Sequence, residues 1–308
     1  MQISRRMTLA GLALGGAGAA YWWRNRLPEG VPNHAVSAHF ETPLTPPAAP
    51  LSVYHLGHSL VGRDMPAMLA QLAGHPYNSQ LGWGTSLRDH WEPDVPINGF
   101  DVENDHPRFR PAKEALGSGR YDAVVLTEMV EIRDAIQYHA SPEYLVRWAA
   151  LARAANPDTR LYLYETWHHT DDGNGWLTRI DRDLEAYWQE LVKNPAITQL
   201  GAPVYLIPAG QAMAAVVRTV SDGKDPDMLF SRHADGSSDT IHFNDLGAYV
   251  VALTHYAVLY HRSPLGVPHD LERADGTRAE GLDAALARQM QQVVWDVVTR
   301  HPETGVAV

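Results

Sequence analysis

The stretch VYHLGHSLVG, residues 53–62, decides how the rest of the sequence is interpreted. It begins as an apolar run typical of a buried strand and reaches Gly57. It then places His58 and Ser59 ahead of a segment with helical periodicity. Packing and capping would explain a glycine turn that carries a serine. A nucleophilic Ser59 would also explain it, but a nucleophile requires a base and an orienting acid elsewhere in the chain.

Apolar strand-like runs alternate with helical patterns along the chain. The predicted strands cover residues 51–56, 77–82, 121–127, 160–165 and 203–208. The predicted helices cover residues 64–73, 141–155, 177–193, 209–220, 245–260 and 279–300. This alternation predicts right-handed βαβ units, and therefore an α/β fold whose parallel sheet is covered on both faces. Residues 93–111 and 221–241 are predicted to be irregular insertions, where α/β proteins commonly build their sites.

Composition excludes several classes of function. The 308 residues are 45% hydrophobic, which is enough for one large domain, predicted here for residues 51–308. A formal charge of −11, with no basic cluster beyond residue 26, argues against a nucleic acid partner because phosphate contacts need clustered Lys and Arg. The absence of cysteine excludes disulfides, thiolate metal sites and a cysteine nucleophile.

The first 50 residues are predicted to lie outside the domain. Residues 1–26 contain Arg5 and Arg6, an apolar run and no acidic residue, and they resemble a twin-arginine export signal. The aromatic and basic residues 21–26 also fit an interfacial membrane anchor, so cleavage and anchoring both remain open. We therefore expect a periplasmic or otherwise exported protein. Residues 27–50 contain six prolines and are predicted to be an extended linker.

A candidate base and acid for Ser59 stand close together late in the chain. Asp239 and His242 are three residues apart, just before the helix predicted to begin near residue 245. This spacing on a tight turn can put both side chains on one side, so that the acid fixes the tautomer of the base. Taken alone, the pattern is more typical of a turn cap followed by a loop histidine.

The two patterns together resemble a known family. Gly57-His58-Ser59-Leu60, on the first strand of an α/β chain, resembles the Gly-Asp-Ser-Leu block of the SGNH, or GDSL, hydrolases. The late segment from Asp239 to His242 matches the Asp-x-x-His block of that family. The resemblance spans residues 51 to about 260. It implies a flavodoxin-like three-layer α/β/α sandwich with a mostly parallel sheet and with the serine on a strand-to-helix turn.

The resemblance also implies an oxyanion hole. Its donors would be the backbone N–H groups of Ser59 and of a glycine in a second block, for which Gly84 is the choice and Gly82 the alternative. The family places an asparagine after the third strand, but this chain has Glu128 there. We expect Glu128 to enter the site, where it would either be protonated beside the developing oxyanion or position the substrate. The alternative is that Glu128 pairs with an arginine such as Arg88 or Arg133.

A metal site is the competing interpretation of the histidine-rich loop. His168 and His169 stand beside Asp171 and Asp172, and His90 is a further candidate ligand. The chain has no H-E-x-x-H motif and no histidine pair at i, i+4 spacing. A solvated turn explains the loop equally well. The serine mechanism needs no metal, and we expect no cofactor.

Tryptophans after the predicted strands bear on the substrate. Trp83, Trp91, Trp167 and Trp176 fall where open parallel sheets bind ligands, although packing between loops and sheet is the competing explanation. Aromatic faces suit sugar rings, and we expect Trp83 and Trp167 to contact substrate. The sequence therefore predicts a serine esterase that removes an O-acyl group, most simply acetyl, from a carbohydrate or a small molecule. The alternatives are a glycan O-acyltransferase, a glycan-binding protein on the same scaffold, and a metal-dependent hydrolase at His168 and His169.

Overall fold

The computed structural model describes residues 27–307, so the expected export segment lies outside it. A five-stranded parallel sheet forms the centre, in the order β2-β1-β3-β4-β5. Its strands are β1 Val53–His58, β2 Tyr77–Gly82, β3 Ala123–Leu126, β4 Arg160–Glu165 and β5 Tyr205–Pro208. This order is the flavodoxin-like one, and it confirms the predicted fold class.

Helices cover both faces of the sheet, as burial of a parallel sheet requires. The helices packed on one face are α1 Asp64–Ala73, α9 Ala209–Ser221, α10 Asp245–Tyr260 and α11 Ala284–Arg300. The other face carries α2 Leu87–Trp91, α4 Ala112–Gly117, α5 Ile132–His139, α6 Ser141–Ala155, a π-helix Leu184–Lys193 and α8 Asn194–Leu200. Two further helices are α3 Phe100–Glu103 and α7 Trp176–Asp183. None of the helices between residues 27 and 307 is long and apolar enough to cross a membrane.

Strand β1, which lies between β2 and the middle strand β3, is buried along its whole length. Its two neighbours pair with it in parallel register, and Val53 lies opposite both Tyr77 and Ala123. The chain leaves this strand at the carboxyl edge of the sheet, where parallel α/β proteins bind ligands. Residue 59 is therefore placed at that edge by the fold itself.

The segment predicted as an irregular insertion at residues 221–241 contains a second, small sheet. Strands β6 Phe230–Arg232 and β7 Ser238–Phe243 form an antiparallel hairpin, which follows a 3-10 turn at Pro226–Leu229. The hairpin leads directly into α10, whose first turn is capped by the Asn244 side chain accepting from the Gly247 N–H at 3.0 Å.

Residues 27–50 are irregular, as their prolines predict, but the prediction that they form an extended linker is wrong. Two 3-10 turns, Asn33–Ala35 and Ser37–Phe40, interrupt the segment, and the Phe40 side chain is buried. The Val31 N–H donates to the Glu190 carbonyl at 2.8 Å. The segment packs on the domain because it has apolar side chains to bury there.

Candidate active site

Ser59 is the first residue after β1 and is half-buried at the carboxyl edge of the sheet. The turn that carries it is closed by the Val61 N–H, which donates to the His58 carbonyl at 2.8 Å. Gly57 permits close packing here, because a Cβ on it would lie 2.4 Å from Cγ2 of Thr127. The glycine therefore brings the end of β1 against the end of β3. Packing accounts for Gly57 whatever Ser59 does.

His58 fixes the same turn from below. Its Nδ1 accepts from the Leu60 N–H at 3.3 Å, so Nε2 carries the proton and donates to the Glu128 carbonyl at 2.8 Å. Complete burial lowers the pKa of His58 to about 4, and the bond to the Glu128 carbonyl opposes this only in part. The ring is neutral at physiological pH and acts as a rigid support for Ser59.

The hairpin brings His242 and Asp239 to Ser59. The Nε2 atom of His242 lies 3.0 Å from Oγ of Ser59, and its Nδ1 lies 2.8 Å from Oδ2 of Asp239. A carboxylate only accepts hydrogen bonds, so Nδ1 is the protonated nitrogen and Nε2 is free to accept the serine proton. The three candidate residues thus form one continuous hydrogen-bonded chain across 183 residues of sequence.

Asp239 is held by its second carboxylate oxygen. Oδ1 accepts from the backbone N–H groups of Ile241 at 3.0 Å and His242 at 2.9 Å. Burial raises the pKa of Asp239, but these two bonds and the contact with the His242 ring outweigh burial and lower it overall. The carboxylate is therefore ionised at neutral pH and fixed in orientation.

A cleft of about 870 Å³ opens over these residues. Gly84 lines it and is exposed, with a φ of 58° that favours glycine. The alternative, Gly82, is buried at the end of β2, where a Cβ would lie 2.3 Å from both Ile97 and Thr85. Of the two glycines considered from the sequence, Gly84 is the one that reaches the cleft.

The expectation that Glu128 contacts substrate is wrong. Its side chain is completely buried and does not line the cleft. One oxygen accepts from the N–H groups of Leu87 at 3.2 Å and Met129 at 2.8 Å, and the other accepts from the Ser141 hydroxyl. Burial raises the pKa of Glu128 to about 7, and the three hydrogen bonds limit the rise. Glu128 joins the loop after β3 to α2 and α6, and neither arginine suggested by the sequence pairs with it.

Only one of the four tryptophans lies at the cleft. Trp83 is 50% exposed and lines it, with Nε1 donating to Oε1 of Glu103 at 2.7 Å. The expectation for Trp167 is wrong, because that ring is 1% exposed beneath the hairpin and donates to the Ile241 carbonyl at 2.9 Å. Trp176 is also buried, and Trp91 packs edge-on against Trp148.

The proposed metal ligands are not brought together. His90 is buried and bonds to the Gly57 carbonyl at 2.8 Å, whereas His169 bonds to Oγ1 of Thr240 at 2.7 Å and lines the cleft. Within residues 27–307, the group of potential ligands that does converge is Glu131, His168 and Asp183. The Arg179 guanidinium already donates to both carboxylates of that group at 2.8 Å, so these carboxylates already have a cationic partner.

One wall of the cleft was not predicted from the sequence, and it is formed by Arg273, Ala274 and Asp275. Arg273 donates from Nε to Oδ1 of Asp245 at 3.0 Å and bonds to the same carboxylate through Nη2. The Ala274 N–H donates to Oδ1 of Asp64 at 2.9 Å. These bonds join segments far apart in the chain, and no local pattern signals them.

Comparisons with known proteins add little to this geometry. No protein-family model matches the chain, and no curated protein matches it. Among solved structures, the tail fiber protein gp63.1 from an E. coli phage aligns with 72% of this chain at 11% identity and a TM-score of 0.41. The chain spans 29% of that protein's length. A similarity at this level carries no argument about function.

Proposed function

We propose that this protein is a serine esterase of the SGNH kind that removes an O-acyl group, most simply acetyl, from a carbohydrate. The observation that carries the proposal is the continuous hydrogen-bonded chain from Ser59 through His242 to Asp239 at the base of an open cleft. A nucleophile, a base and an orienting acid in this order are what acyl transfer through an acyl-enzyme requires.

In the proposed reaction, Oγ of Ser59 attacks the ester carbonyl as His242 Nε2 takes the serine proton. The negative charge that develops on the carbonyl oxygen is held by the backbone N–H groups of Ser59 and Gly84. The tetrahedral intermediate then expels the alcohol, which receives the proton from His242. Water attacks the acyl-serine with the same base, releases the carboxylic acid and restores the Ser59 hydroxyl.

Trp83 supports a carbohydrate as the alcohol. Its ring packs directly on the backbone of Gly99, where a Cβ would lie 2.2 Å from the indole, and its Nε1 is tied to Glu103. The ring is thus fixed with half of its surface exposed in the cleft. A rigid, open aromatic face beside carboxylate and imidazole groups is suited to stacking against a sugar.

The hydrogen bonds that link Ser59, His242 and Asp239 favour an enzyme over a binding protein on the same scaffold. Binding alone does not require these three side chains to be hydrogen-bonded to one another. Hydrolysis and acyl transfer share every step up to the acyl-serine. They differ only in whether water or a sugar hydroxyl attacks it.

The direct test is acetate release from glucose pentaacetate by the purified protein and its Ser59→Ala and His242→Ala variants. We expect release by the parent protein and a loss of at least about 10³-fold in both variants, with unchanged thermal unfolding. Equal rates in the parent and Ser59→Ala would eliminate the serine mechanism. If both variants release acetate and a chelator abolishes the release, a metal-dependent hydrolase would be favoured instead.

A further inference from the structure

A second depression adjoins the cleft and is called here the side groove. It has a volume of about 490 Å³, and it shares Arg63, Arg273 and Ala274 with the wall of the cleft. Arg63 lies four residues after Ser59, at the start of α1. A substrate whose ester lies at Ser59 would therefore pass Arg63 to reach the side groove.

The side groove carries surplus positive charge. Three arginines line it, Arg63, Arg108 and Arg273, but only one carboxylate, that of Glu272. Arg273 is already neutralised by Asp245. Over residues 27–307, neither of the other two guanidinium groups has a carboxylate oxygen within 4.0 Å.

Arg108 is held at the groove by an aromatic ring, since its guanidinium carbon lies 5.2 Å from the centre of the Tyr77 ring. Arg63 is half-buried between the side groove and the cleft. The chain has more acidic residues (36) than basic ones (25), so the lack of a carboxylate partner at either arginine does not come from a shortage of carboxylates. Two guanidinium groups facing one concave surface without such a partner are free to bind an anion.

Another depression beside the cleft, with which it shares Asp64 and Arg273, has the reverse charge. Its volume is about 710 Å³, and it is lined by five carboxylates, those of Asp64, Asp225, Asp227, Asp245 and Glu280, and by only two arginines. An anionic group on the substrate would be repelled from that depression and attracted to the side groove. The charge distribution thus fixes the direction in which an anionic substrate would lie.

We propose that the side groove binds a carboxylate or phosphate group of the substrate whose ester is cleaved at Ser59, through the guanidinium groups of Arg63 and Arg108. This inference rests on the proposed esterase function and narrows its substrate to an acylated anionic sugar. Arg63 and Arg108 are specificity-determining residues in this account, because a fork of N–H donors matches the paired oxygens of a carboxylate or phosphate.

The test measures binding without turnover, so that it stands apart from the esterase test. The full-length Ser59→Ala protein is titrated calorimetrically with methyl glucuronoside, glucose 6-phosphate and methyl glucoside. We expect at least one anionic sugar to bind about tenfold or more tightly than the neutral glucoside, as charge-assisted hydrogen bonds imply. The tighter of the two identifies the anionic group.

The same titration is repeated with the double variant Arg63→Gln/Arg108→Gln. The control is Arg288→Gln, which changes an exposed arginine on α11 that does not line the cleft. The double variant should lose the preference for anionic sugars to within about twofold, and Arg288→Gln should keep it. The single variant Arg108→Gln, at an exposed side chain, should lower the preference even if the double variant fails to fold.

Equal affinity for charged and neutral sugars would overturn the inference, as would a preference that survives the loss of both arginines. Neither result bears on the serine mechanism, because acetate release from a neutral acetylated sugar is measured separately.

Discussion

The two oxygens of Asp239 have separate partners, and this makes Asp239→Asn an informative perturbation. Oδ1 holds the turn through two backbone N–H groups, while Oδ2 accepts from Nδ1 of His242 at 2.8 Å. An asparagine can keep its carbonyl oxygen on the backbone donors. Its amide N–H₂ then faces Nδ1, which must give up its proton to accept from it.

The consequence is a histidine in the wrong tautomer. With the proton on Nε2, His242 donates to Ser59 and cannot accept the serine proton. A comparable change in a serine protease lowers kcat by about 10⁴-fold, or roughly 5.5 kcal/mol in the activation barrier. Because the backbone bonds to Oδ1 persist, the fold should lose little stability. We therefore expect a loss of about 10³–10⁴-fold in activity with nearly unchanged unfolding.

The assay is kcat/KM for p-nitrophenyl acetate at pH 8, measured beside thermal unfolding of the same samples. Asp239→Ala is the matched control, because it removes both functions of the carboxylate and should also lower the unfolding temperature. An Asp239→Asn protein that retained more than about a tenth of the parent activity would refute the assigned role of Asp239.

Three other outcomes follow from the same geometry. Gly57→Ala should lower stability by about 1–3 kcal/mol in thermal unfolding, because its methyl group would meet Thr127 at 2.4 Å; unchanged unfolding would contradict this packing. Trp83→Ala should raise KM for acetylated glycosides about tenfold and leave p-nitrophenyl acetate hydrolysis within about twofold, and equal effects on both substrates would remove the stacking role. The free energy of unfolding should fall as the pH drops from about 6.5 to 4, because buried neutral histidines take up protons only on unfolding. The two buried glutamates of raised pKa, Glu128 and Glu165, act in the opposite direction, but the histidines outnumber them. A midpoint of urea unfolding that stays constant from pH 7 to pH 5 would be inconsistent with this. The fully buried histidines with lowered pKa are His55, His58, His90 and His255.

Long elements were predictable because their signal is repeated. The helices over residues 141–155 and 245–260 match their predicted bounds, since apolar side chains recur through four turns of each. The buried strands were equally clear. The short helix Leu87–Trp91 was not predicted, because five residues carry too little periodicity.

That missed helix explains the error at Glu128. Its position after β3 is a reasonable place for a substrate-binding side chain, but the Leu87 N–H at the start of that helix donates to the carboxylate at 3.2 Å. Trp167 was misjudged for a related reason. The β6–β7 hairpin covers it, and strand β7 reads SDTIHF, a polar run with little of the apolar alternation that would predict a strand.

Ser59, Asp239 and His242 could be selected because their residue types and order are informative together. Their convergence depends on contacts that no local pattern contains. The Thr170 N–H donates to the Thr240 carbonyl at 2.9 Å, and Trp167 Nε1 donates to the Ile241 carbonyl. These bonds dock the hairpin against the sheet edge and set the position of His242.

The central claim is that His242 and Asp239 activate Ser59 as a nucleophile. The most direct measurement is intact-mass and peptide-level mass spectrometry after treatment with a fluorophosphonate, which phosphonylates an activated serine and releases fluoride. We expect one adduct, located on Ser59, whose rate of formation falls by at least about 10³-fold in His242→Ala. An unmodified Ser59, or an equal rate of labelling in His242→Ala, would contradict it.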